Sequence, residues 1–133
     1  MSALTRDRAT PYREGIEVEY PVAANTKIYA GSLVCVNAEG YAVPATDTGG
    51  YRMAGVALER ADNSDGSDDG KHVRLRRAGV FEFEAINISQ DMLGKRMYAI
   101  DDHTFAKADS YLVGVGILVK YVSATKGWID IAR

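Results

Sequence analysis

The chain has 133 residues, 47% of them hydrophobic and 26% charged, with a formal net charge of -2. That length suits one domain around a single sizeable core, and the near-neutral balance offers no global field to attract nucleic acid or an acidic membrane. No apolar run reaches the roughly 18 to 20 residues of a spanning helix, and the opening MSALTRDRATPYREG is too polar for a secretory core, so synthesis in a cytoplasm is expected.

Residues 1 to 15 carry Arg6, Asp7, Arg8, Arg13 and Glu14 with only Leu4 and Tyr12 as apolar anchors. This predicts an extended arm, followed by one β-domain over residues 16 to 133. Ile16, Val18, Tyr20 and Val22 alternate with Glu17, Glu19 and Pro21, the period of a half-buried strand, and Pro21 lacks a ladder donor and so points to a sheet edge. The apolar run from Ile28 to Val36, the turn Asn37 to Gly40 and Tyr41 to Val43 predict a hairpin. Cys35 lies inside that run and reads as a small buried hydrophobe, not a reactive thiol.

A loop at Thr46 to Gly50 leads to a short strand from Met53 to Leu58. Asp62 to Gly70 is nine residues without an apolar side chain, which predicts an exposed, mobile loop. Val73 and Leu75 alternate with Arg74 and Arg76, and Phe81 and Phe83 with Glu82 and Glu84, which reads as one long strand kinked at Gly79. Ser89 to Gly94 is the single helical turn expected, with Ser89 as cap and Gly94 as terminator.

Met97 to Ile100 and Phe105 to Lys107 predict a second hairpin about the turn Asp101 to Thr104. Val113, Val115, Ile117, Val119 and Tyr121 then alternate strictly, and Trp128 to Ile131 closes the chain. The first hairpin is echoed by the second, with Leu33-Val34-Cys35-Val36 set against Met97-Tyr98-Ala99-Ile100 and Tyr41-Ala42-Val43 against Phe105-Ala106-Lys107. Each copy leads to a glycine-bearing strand, Gly55 in the first and Gly114 and Gly116 in the second, which suggests two pseudo-equivalent hairpin units within one small barrel or sandwich. The fold class expected is all-β: a small β-barrel or β-sandwich of short antiparallel strands, with one short helical turn and an extended N-terminal arm.

Residues suited to chemistry are few. His72 and His103 fall beside an acidic loop and in a turn, and no Cys or His spacing matches a zinc site. Neither a nucleophile elbow nor a phosphate-binding glycine loop is present, so no catalytic residue, metal or cofactor is expected, and the chain reads as not an enzyme. Asp65-x-Ser67-x-Asp69-Gly70 opens like a calcium loop, yet its twelfth position is Arg76 where a bidentate Glu is required. Arg74, Arg76 and Arg77 form the densest basic cluster. No aromatic platform accompanies them, so they read as a solvated face or one that pairs between subunits with Glu17 and Glu19, or with Glu82 and Glu84. Eight tyrosines favour a protein interface.

The chain resembles the small head decoration, or capsid cement, proteins of tailed phages. The resemblance rests on the order of short segments: Leu4-Thr5-Arg6-Asp7-Arg8-Ala9-Thr10-Pro11, the run from Tyr20 to Gly31, Gly40-Tyr41-Ala42-Val43-Pro44-Ala45, Gly55-Val56-Ala57, Val73 to Phe81, and Leu93 to Asp102. It implies a β-rich module on the exterior of an expanded head, with the major capsid protein as partner and a homo-trimer as the bound form. Under it, Leu4, Thr5, Arg6, Asp7, Arg8, Thr10, Pro11 and Tyr12 become a capsid-binding arm, which would order on docking by adding a strand or filling a groove. The alternative is a carbohydrate- or host-binding β-module on the particle surface, built on exposed tyrosines and Trp128.

Overall fold

The computed structural model describes residues 2–11 and 15–132. It is all-β, with twelve strands and a single 3-10 turn among the described residues. The strands are β1 (Glu17–Pro21), β2 (Thr26–Ile28), β3 (Leu33–Val36), β4 (Ala42–Pro44), β5 (Arg52–Ala57) and β6 (Ala61–Asn63), then β7 (His72–Arg76), β8 (Val80–Ile86), β9 (Arg96–Ala99), β10 (Thr104–Lys107), β11 (Gly114–Ser123) and β12 (Lys126–Asp130). The helical turn falls at Gln90–Met92, where Ser89 stands at the cap position but sends its hydroxyl to the Asp91 carboxylate instead of a backbone N–H.

Two five-stranded units carry the core. The first is a sheet in the order β1-β7-β5-β3-β4, and the second is a closed barrel in the order β8-β12-β11-β9-β10. The two orders are the same order. Adding 63 to a residue number takes Ile16, Val22, Val34 and Ala42 to Gly79, Ala85, Met97 and Phe105; the offset falls to 61 from β5 to β11 (Gly55 to Gly116) and to 54 from β7 to β12 (Arg77 to Ile131), and the hydrogen bonds follow these equivalences. Ile16 O accepts from Arg77 N as Gly79 O accepts from Ile131 N, and Gly31 N donates to Ala57 O as Gly94 N donates to Leu118 O. The barrel closes by parallel pairing of β10 with β8, Phe105 opposite Ala85. The sheet meets itself at the equivalent seam through one parallel bridge, Val22 to Ala42.

The chain is therefore an internal repeat of whole units, larger than the hairpin echo suggests, and shifted by one residue from it. Sequence similarity sets Leu33 against Met97; the structure sets Val34 there, because Val34 opposes Gly55 as Met97 opposes Gly116. A one-residue shift would turn every side chain of the strand to its other face.

Matched interior positions trade volume. Ala42, Ala57 and Val22 of the sheet correspond to Phe105, Leu118 and Ala85 of the barrel, all buried. Each unit fills its interior with a different arrangement of large and small side chains, as close packing requires. The opposite face of β3, β4 and β5, with Leu33, Cys35, Val43 and Val56, is buried in one cluster with barrel residues such as Phe83, Ala99 and Phe105. Leu33 N donates to Asp102 O at 2.8 Å and Leu112 N to Asp47 Oδ1 at 2.9 Å across the same junction. Cys35 is fully buried there, and burial pushes its thiol up to about 12, so it is inert.

Three expectations are corrected. Residues 73 to 84 are two strands in two units, β7 and β8, separated at Gly79 with φ 130°. Strict alternation along β11 fails, because register shifts beside Gly116 and between Leu118 and Lys120 leave Val115 and Leu118 buried and Val119 exposed. The Asp62 to Gly70 segment is exposed, as expected, except at Asn63 and Gly66, but it is hydrogen-bonded to the sheet and is not a detached loop. It begins in β6, which pairs with β2, and Asn63 is buried with its Nδ2 donating to Ala23 O at 2.9 Å and Ser67 O at 2.8 Å. Asp68 Oδ1 accepts from Ala24 N and Asp69 N donates to Val22 O. The segment is anchored to the sheet along its length.

Candidate functional site

The arm is the first place to look. Leu4, Thr5, Arg6, Asp7, Arg8, Thr10 and Pro11 are all exposed and belong to no strand, and Leu4 is 73% exposed. The local contacts are short-range, Arg8 Nη1 to Thr10 Oγ1 at 2.9 Å and Thr10 N to Arg8 O at 3.0 Å. Tyr12 lies outside the described residues. The arm leads through Gly15 and Ile16, itself an exposed apolar residue, into β1 at the end of the sheet, where Pro21 sits as its missing donor requires.

The charged face comes next. Val73 and Leu75 are fully buried while Arg74 and Arg76 are exposed, the alternation expected of a half-buried strand. Antiparallel pairing of β1 with β7 puts Glu17 opposite Arg76 and Glu19 opposite Arg74. Arg74 reaches Glu59 at 3.4 Å and Glu17 at 3.9 Å, and His72 bridges Glu19 at 3.1 Å and Asp69 at 2.6 Å. Arg74, Glu17 and Glu19 thus meet charges of their own chain. Hydrogen bonds that the Glu19 and then the Asp69 carboxylate accept raise the His72 imidazole above its ordinary range, and the Glu59 carboxylate does the same for Arg74. Arg77 points elsewhere, to the junction of the two units.

Among the described residues one group is close enough to share a metal ion, Asp101, Asp102 and His103 in the β9–β10 turn. His103 lies 3.0 Å from Asp101, 3.1 Å from Asp102 and 3.6 Å from Glu84, and the Asp102 hydrogen bond leads in raising its imidazole. His103 is exposed and the two aspartates are half-buried, and the members already satisfy one another. Arg76, the residue that spoils the calcium-loop match, lies on β7, and Asp69 is engaged by His72.

A cleft of about 620 Å³ opens where the sheet and the barrel adjoin. Its lining pairs equivalent positions of the two units, Ala54 with Val115 and Arg77 with Ile131, and includes Met53 and Arg96. Ala54 and Val115 are the residues skipped when the β3–β5 and β9–β11 registers shift, so each is the extra residue of a bulge. Sequence reasoning missed this site. The signal was the repeated glycine within Ala54-Gly55-Val56 and Val115-Gly116-Ile117, which marks a bulged strand. Trp128 stands on the outer barrel surface between Glu82 and Lys120, half-buried.

No protein-family model, curated protein or solved structure matches the chain.

Proposed function

We propose that the chain is a structural, non-catalytic protein that docks on the outer surface of an expanded phage head and stabilises it, working as a decoration protein with the major capsid protein as its partner. The observation that supports this is the exposed arm. Ser2 to Pro11 has no strand or helix of its own, yet it carries an exposed leucine and runs into the end strand of a rigid β scaffold. Such a segment gains order only against a second surface, by strand addition or groove filling, and each buried apolar side chain offsets part of the cost of fixing the backbone. Exposed Val80, Leu112 and Val122 add apolar area on the barrel side, and bound homo-trimers would bring several such surfaces to one capsomer junction.

The test is deletion of residues 1 to 14. The shortened chain is expected to keep the circular dichroism and thermal midpoint of the full chain while losing binding to expanded, undecorated heads. Undiminished binding by the truncated, folded protein would overturn the reading.

A further inference from the structure

The geometry points to the inter-unit cleft as a docking site for an extended peptide segment that carries a carboxylate. Three independent observations meet there. Its two charged side chains, Arg77 and Arg96, are both cationic, and among the described residues no Asp or Glu lines it, on a chain whose formal net charge is -2. Their guanidinium groups lie beside cleft glycines: a Cβ on Gly15 would meet Arg77 Nη2 at 3.4 Å, and one on Gly114 would meet Arg96 Nη1 at 3.3 Å. Arg77 forms no ion pair among the described residues.

The second observation is backbone. Both units place a bulge residue, Ala54 and Val115, in the wall of this cleft, and a bulge withdraws a peptide group from the ladder. An extended chain satisfies such groups with its own N–H and C=O, whereas a compact anion does not. The third is apolar: Met53 and Ile131 line the cleft with the bulge residues, and Ile16, 52% exposed, stands at its margin. A guanidinium beside apolar walls suits an occupant that alternates carboxylate and aliphatic side chains, because a strand turns one set towards the cation and the other towards the wall. The occupant is a peptide from a partner, and the inference stands independently of the proposed capsid role.

Acetylated hexapeptides alternating valine with glutamate, and a matched valine–glutamine series, would be titrated into the full-length protein with amide NMR as readout. The glutamate series is expected to bind and to shift the amides of Ala54 and Val115. Arg77→Gln should weaken it about tenfold, the order of one charge-assisted hydrogen bond, and Arg76→Gln, outside the cleft, should leave it unchanged. No binding, equal binding of the glutamine series, shifts confined to other surfaces, or indifference to Arg77→Gln would each overturn the assignment.

Discussion

Gly55 and Gly116 occupy the same place in the two units. A Cβ on Gly55 would lie 2.5 Å from the carbonyl oxygen of Arg76, and one on Gly116 2.4 Å from that of Asp130, with φ at 159° and 152°. Both clashes are with the backbone of a strand paired to the glycine's own, β7 for Gly55 and β12 for Gly116, so a methyl group can be housed only by moving the ladder. Gly55→Ala and Gly116→Ala are each expected to lower stability by more than about 1 kcal/mol, measured by urea denaturation. Two unperturbed midpoints would show that the repeat does not impose this constraint.

Phe105 fills the barrel interior where the sheet has Ala42. Phe105→Ala is expected to cost about 3 to 5 kcal/mol, as removal of a fully buried aromatic ring does when its surroundings cannot collapse. A loss below about 1 kcal/mol would mean that the barrel interior is loosely packed.

How far these constraints can be read in the sequence varies by element. Val73 and Leu75 against Arg74 and Arg76 were legible, because one face of β7 is buried and the other is wet. Phe81 and Phe83 continue the same period past Gly79, so the boundary between units had no hydrophobic signature; it is set by which distant strands pair. Val119 looked buried because alternation assumes an unbroken register, and β11 has shifts. The parallel seams were also hidden, since Val22 to Ala42 and Ala85 to Phe105 are non-local contacts between strands that hydropathy reads one at a time. The arm's polarity and the charged face were plain, whereas the cleft arises only when two units are placed side by side.

The acidic segment offers a separate test, because its order depends on a polar residue that hydropathy places in solvent. Asn63→Ala removes the donor shared by Ala23 O and Ser67 O and strands those carbonyls. The expected loss is about 1 to 3 kcal/mol, with faster hydrogen exchange at the Gly66 and Asp69 amides. Unchanged exchange there would show that the segment is held by other contacts.

His72 makes the fold sensitive to pH with a definite sign. Its imidazole is raised in the folded state by Glu19 first and Asp69 second, so its contribution is fully present below the unfolded value of about 6.5 and is lost as pH rises through the higher folded value. NMR titration should place the His72 transition above that of a free histidine, with Glu19→Gln lowering it most. His103, raised chiefly by Asp102, should respond to Asp102→Asn and not to Glu19→Gln. A His72 transition at the ordinary histidine value would remove the bridge between β1 and the acidic segment from the account.

The most direct measurement of the proposed capsid role is co-sedimentation of the purified protein with expanded, undecorated phage heads, with light scattering to give the free oligomeric state. The account predicts binding that saturates at a fixed ratio to the major capsid protein and raises the temperature at which the heads release their DNA. Failure to bind any form of the head, by protein shown to be folded, would contradict it.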